Sequence, residues 1–174
     1  FLPDATFVID RHGTIIAWNR AMEEMTGYSA REMIGKGDYE YAIPFYNERR
    51  PILIDLLFMD PVDVSQQYAF IRREKDIIVG ETDVPFVRGK KRFLSGRVAP
   101  IYNLRGDIIA AVESIRDLTE AKRAEQALYE SRDRYREILE NIEEGYYEFD
   151  LDGRIIFFNP SFLRIMGYTA TEAQ

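Results

Sequence analysis

Tyr39, Tyr41, Tyr46, Arg49 and Arg50 all fall within Gly37–Arg50, just ahead of an apolar run that opens at Pro51. Phenol hydroxyls, planar guanidinium forks and the free N–H groups at a helix start can together hold a small anion or carboxylate. Arginine keeps its charge at neutral pH, so burying one demands an anionic partner. Adjacent helical residues point about 100° apart, so one arginine faces inward and the other meets solvent or an acidic side chain. Trp18 is a further candidate for a pocket wall, as in a non-covalent flavin site, although a core tryptophan is the favoured reading. The competing reading is structural: the tyrosines wedge the segment onto a core and the arginines pair with Glu40 or Glu48.

Other chemistry is poorly supplied. Cysteine is absent, which removes disulfides, thiolate nucleophiles, cysteine-ligated metal and covalent cysteine adducts, and fits a reducing cytoplasm. The one histidine, His12, lies in a turn, a poor position for a haem or metal ligand. Gly35-Lys36-Gly37 is too short to cradle a phosphate, and no glycine-rich nucleotide motif occurs. The chain therefore carries no catalytic motif. No cofactor is expected beyond an unidentified small ligand. A net charge of −7 and scattered basic pairs such as Arg72-Arg73 argue against a nucleic-acid surface. The strongest apolar stretch, Pro51–Met59, is broken by Asp55 and falls far short of the roughly 20 residues of a membrane span. No membrane contact is expected. Because Phe1 is not a methionine, the chain is read as part of a longer protein, soluble or membrane-anchored.

The elements that must position these residues announce themselves through a repeat. FVIDRHGTIIAWNRAMEEMTGYSARE, residues 7–32, falls without a gap on YEFDLDGRIIFFNPSFLRIMGYTATE, residues 147–172. Asp10–Gly13 and Asp150–Gly153 sit between β-branched and aromatic runs, as hairpin turns do. Asn19 and Asn159 stand where strand gives way to helix, with side-chain oxygens suited to N-capping, and Pro160 suits a first helical position. Gly27 and Gly167 are left-handed stops. Ser29–Glu32 and Thr169–Glu172 read as capping boxes opening a further helix.

Between the copies, Pro51–Met59 reads as a helix with Ile52, Leu53, Leu56 and Leu57 on one face, and Val64, Tyr68 and Ile71 continue the spacing in a second. Ile77–Val84, Lys91–Tyr102 and Asp107–Leu118 read as three strands, giving an α+β plan.

The Asp-x-x-Gly hairpin, Trp18-Asn19, the Met25-Thr26-Gly27-Tyr28 stop and the closing Glu113-Ser-Ile-Arg-Asp-Leu-Thr-Glu120 resemble the PAS domains across essentially the whole chain. The resemblance implies a five-stranded antiparallel sheet, order 2-1-5-4-3, whose concave face and flanking helices enclose a ligand pocket. It also implies an exit at Asp117 and Thr119 through which signal is relayed. Such modules usually regulate a histidine kinase, a cyclic-dinucleotide enzyme or a transcriptional activator.

Residues 1–118 are thus expected to form a PAS domain, 119–141 a linker helix, and 142–174 the opening of a second, truncated PAS domain. In the linker, Ala121, Ala124, Leu128, Ser131, Tyr135, Ile138 and Ile142 recur at spacings of three and four. That is the seam of a coiled coil joining a homodimer, weak because Ala and Ser bury little. The expected role is a cytoplasmic sensor passing its signal through this helix to an effector domain in the same polypeptide. Rivals are a dimerisation module with a filled core and, less favoured, a flavin or haem redox sensor.

Overall fold

The computed structural model describes residues 4–59 and 68–167. They fall in two compact units, residues 1–122 and 123–174. The first unit begins with strands β1 (Ala5–Asp10) and β2 (Ile15–Trp18), then helices α1 (Arg20–Thr26), α2 (Ala30–Met33) and α3 (Ile43–Tyr46). Short 3₁₀ segments cover Glu40–Ala42 and Leu53–Leu57. Strands β3 (Phe70–Glu74), β4 (Ile77–Val87), β5 (Lys90–Tyr102) and β6 (Ile108–Asp117) follow, and helix α4 (Thr119–Asn141) leads out. The second unit adds β7 (Tyr147–Phe149), β8 (Ile155–Phe158) and α5 (Pro160–Met166).

The first sheet is wholly antiparallel in the order β2-β1-β6-β5-β4-β3. This is the expected order with one strand added at the edge. Side chains alternate along each strand, so Phe7 and Ile9 of β1, Leu94 and Val98 of β5, and Ala111 and Ile115 of β6 face one core. The helical segments close over that face with Met22, Met33, Tyr41, Phe45, Leu53 and Ile54.

The repeat is a repeat of hydrogen bonds. Asn19 Oδ1 accepts from Thr6 N and Met22 N while its amide donates to Asp4 O. Asn159 Oδ1 accepts from Tyr146 N and Phe162 N, and its amide donates to Leu139 O and Glu144 O. One side chain thus caps a helix and clamps it to the preceding strand in both units, satisfying donors that burial would otherwise orphan. Asp10 and Asp150 likewise each hold two N–H groups of their own turns. Gly27 ends α1 at φ 84°, a conformation that costs glycine nothing. Ser29 and Glu32 make the expected capping box; its counterpart at Thr169 lies outside the described residues.

Two expectations need correction. The second helix, read over Val64, Tyr68 and Ile71, does not extend to Ile71, which is in a strand; Val64 lies outside the described residues. Residues 60–67 lie outside the described residues, but from Phe70 onward the chain is the edge strand β3, paired with β4 around Lys75 at φ 55°. Ile71 thus belongs to a mostly exposed hairpin arm, whose cross-strand pairs outweigh a weak helical pattern. The helix over Pro51–Met59 shrinks to the 3₁₀ segment Leu53–Leu57. Ile52 through Leu56 are all buried, so the run is not amphipathic but enclosed, and Asp55 Oδ2 takes the Ile52 N–H at 2.8 Å.

Candidate functional site

Among the described residues, the inner face of the sheet carries one buried acid. Ala111, Glu113 and Ile115 of β6 share that face, and Glu113 is only 4% exposed. Its carboxyl accepts the Ile54 N–H, whereas Oε2 has no partner. Burial, and then the charge of Asp55, push Glu113 up to about 8, against the pull of the Ile54 bond. Near neutral pH it is a carboxylic acid with a proton on offer.

Two glycines make the space it occupies. Gly80 and Gly96 are directly paired across β4 and β5. A Cβ on Gly96 would lie 2.6 Å from Glu113 Oε1 and 2.9 Å from Leu53 Cδ2, and one on Gly80 would lie 2.7 Å from Leu53 Cδ1. Leu53 therefore reaches down onto bare backbone. Beside the two glycines remains a cavity of about 30 Å³, lined by them and by Glu113, Tyr46, Tyr68 and Thr82 among others. That volume admits about one water-sized group. Tyr46 and Tyr68 share a hydrogen bond, and burial raises both phenols above their ordinary value.

Beside this lies a second polar pair. Tyr41 is fully buried and donates to Asp55 Oδ1 at 2.6 Å. Burial raises the Asp55 carboxyl, and its bonds from Tyr41 and Ile52 pull it back.

The residues singled out in the sequence are dispersed. Arg49 points outward, bound to Glu40 Oε2 at 2.6 Å and to Asp38 Oδ2 at 2.9 Å. Arg50 turns the other way: it stacks on the Tyr46 ring at 4.4 Å, pairs with Glu48, and leaves its buried Nε unpartnered. Tyr39 reaches Met59 Sδ. Trp18 packs on Phe7 in the core and donates to Tyr28 O. Of the set, only Tyr46 lines the cavity and Arg50 backs it. His12 is exposed in its turn, and among the described residues no cluster of His, Asp or Glu is placed to hold a metal.

At the far end of β6, Asp117 Oδ1 takes the Thr119 N–H, and Thr119 Oγ1 takes the Phe93 N–H, both at 2.9 Å. Leu118 N–H also bonds Phe93 O. The first turn of α4 is thereby tied to β5. Along the rest of α4 the expected seam is exposed: Leu128 is 62% and Ile138 54% accessible.

A family profile described as "PAS fold" matches residues 2–123, and another described as "PAS domain" matches residues 133–174. The chain belongs to the PAS family. PAS domains are typical of multi-domain signalling proteins, and the two matches fall on the two copies of the repeat. No curated protein sequence matches this PAS chain. Among solved structures it is similar to the PAS domain of Bordetella pertussis BvgS, at 15% identity over 76% of this chain and 89% of that one, TM-score 0.47. It is also similar to an RNA-binding light-oxygen-voltage receptor, at 17% identity over 76% of this chain but 34% of that one, TM-score 0.52. A sensory box histidine kinase/response regulator from Burkholderia thailandensis matches at 18% over 78% and 92%, TM-score 0.45. At these identities the likeness is one of fold. Among the described residues, no helix is long and apolar enough to cross a membrane.

Sequence reasoning missed Glu113 as a site, reading it only as part of a closing strand. The signal was available: an acid alternating with Ala111 and Ile115 on the apolar face of a strand has to be buried.

Proposed function

We propose that this PAS chain is the sensory part of a cytoplasmic signalling protein. The first domain takes its input in the cavity beside Glu113, and α4 carries the response to an effector domain outside the chain, a histidine kinase being the favoured class. The chain's own task is binding and relay rather than catalysis. One observation carries the reading: the cavity acid and the root of the output helix lie on the same strand. Glu113 stands on β6, which ends at Asp117, where Thr119 ties α4 to β5. A change in what Glu113 touches has a short, stiff route to α4. A coupling of about 1–3 kcal/mol is enough to shift the packing of a marginal coil.

Mass spectrometry of small molecules released from the purified protein tests this, with Gly96→Val as the cavity-filled control. A molecule released by the native protein and missing from the variant supports the reading. No released molecule, together with unchanged hydrogen exchange at the start of α4 in Gly96→Val, defeats it.

The cavity of about 30 Å³ favours a second reading, a ligand-free module whose function is dimerisation through α4. Under either reading, Ala121, Ala124, Leu128, Tyr135 and Ile138 form the seam between two parallel copies.

A further inference from the structure

The unpartnered Oε2 of Glu113 calls for a ligand of its own. Resting on the reading of the cavity as the input site, we propose that it receives a small primary amine as its ammonium ion, held by Glu113 under the aromatic rings of Tyr46 and Tyr68. The small anion suggested by Arg49 and Arg50 is not the class that this cavity fits.

The argument begins with the charges facing the site. Among the described residues, the titratable groups around Glu113 are Asp55 from the 3₁₀ segment, Tyr46 from α3, Tyr68 ahead of β3 and, further off, Tyr41. Every one is neutral or negative. The strands contribute Phe7, Gly96 and Val98, which are uncharged. Among the described residues no cation lines the cavity: Arg49 is spent on Asp38 and Glu40, and Arg50, outside the lining, backs the Tyr46 ring, paired with Glu48 and with its Nε unpartnered. An anion entering here would meet a buried acid and the Asp55 charge, with no cation in the lining to neutralise it. An ammonium group meets Glu113 Oε2 and the phenol oxygens as acceptors, and aromatic rings that attract cations.

Size points the same way. About 30 Å³ accepts a group the size of a water molecule, which an ammonium head is. The alkyl remainder of the amine needs the volume held by the Leu53 methyls over Gly80 and Gly96. Binding thus displaces a side chain of the Leu53–Leu57 segment, the same segment that gives Glu113 its Ile54 N–H.

Proton bookkeeping yields a signature. Free Glu113 holds a proton up to about pH 8, and binding an ammonium ion releases it. Apparent affinity should therefore rise close to tenfold per pH unit below about 8 and level off above. A neutral acceptor such as an amide would bind the protonated acid and weaken as pH passes 8.

The experiment is a thermal-shift titration of the whole chain at constant ionic strength, with methylammonium chloride, acetamide and sodium acetate, from pH 6 to 9. The expected result is a melting-temperature rise with methylammonium that grows with concentration and with pH up to about 8. Glu113→Gln, which keeps the shape and removes the charge, should abolish it. Where that variant does not fold, the pH profile of the native protein decides alone. A methylammonium shift absent at pH 8.5, or independent of pH from 6 to 8, overturns the proposal. A shift with acetamide or acetate that exceeds the amine's and vanishes in Gly96→Val overturns the amine while leaving the cavity as the input site.

Discussion

Tyr41 donates its hydroxyl to the Asp55 carboxylate across 2.6 Å, with both residues inside the first domain. Tyr41→Phe leaves the shape of the core intact and removes one of the donors that offset the burial of Asp55. A hydrogen bond to a buried charged group is worth roughly 1–3 kcal/mol, so urea denaturation at neutral pH should show a loss in that range. A loss under about 0.5 kcal/mol, the scale of an unremarkable surface substitution, would mean that Asp55 finds another donor.

Glu113 makes stability fall as pH rises. Its folded value is about 8 against an ordinary 4.5, so the folded chain binds the proton more tightly than the unfolded one. The stabilisation from this group is complete below about 4.5, declines from there to about 8, and is flat above. The slope within the window is at most about 1.4 kcal/mol per pH unit. Glu113→Gln cannot ionise, so its stability relative to the native protein should improve across that window. A constant difference between the two from pH 5 to 8 would show that Glu113 titrates normally.

How much of this was legible in the sequence depends on how local the cause is. Asn19, Gly27 and the Ser29–Glu32 box act on backbone groups within a few residues of themselves, and each behaves in the structure as its spacing implied. The sheet order came from the PAS resemblance, and only the edge strand β3 was missing from it. The site was less readable because its members come from distant elements. Tyr46, Tyr68, Gly80, Gly96 and Glu113 meet only after the sheet has formed, whereas the sequence neighbours Arg49 and Arg50 point to opposite sides. Asp55 showed itself merely as a break in an apolar run; its partner Tyr41 was visible only as one tyrosine among several.

The bare backbone at Gly80 and Gly96 should be intolerant of any side chain. Gly80→Ala puts a methyl 2.7 Å from Leu53 Cδ1 and 3.1 Å from Tyr68 Cδ1, overpacking that costs about 1–3 kcal/mol. Leu53→Ala vacates the same space and is itself destabilising. In combination the two should cost less than their sum by at least about 0.5 kcal/mol, read from a double-mutant denaturation cycle. Simple additivity would place the clash elsewhere.

The exposed seam of α4 predicts self-association. Leu128 and Ile138 present apolar side chains to solvent on a long helix, and pairing with a second copy buries them. Sedimentation of the native chain should show a monomer–dimer equilibrium, shifted to monomer by Leu128→Glu with Ile138→Glu. A native protein that remains monomeric at every accessible concentration, or an association that the double variant leaves unchanged, removes α4 as the contact.

The tie between Thr119 and Phe93 should hold the root of α4. Thr119 is 6% exposed and its hydroxyl oxygen is the acceptor for the Phe93 N–H, while its own N–H is held by Asp117. Thr119→Val keeps the branched shape and deletes the acceptor, leaving a half-buried N–H unpaired at a cost of about 1 kcal/mol. The two backbone bonds linking Leu118 to Phe93 and to Lys122 remain, so the loss should be local. Hydrogen exchange should accelerate at Phe93 and in the first turn of α4 while β1 keeps its protection. Thr119→Ser retains the oxygen and should restore slow exchange, which separates the hydrogen bond from a packing effect of the methyl group. If Thr119→Val leaves Phe93 protected, or if Thr119→Ser is as labile as the valine variant, the hydroxyl is not what joins the sheet to its output helix, and the route from Glu113 to α4 must run through the Leu118 backbone instead.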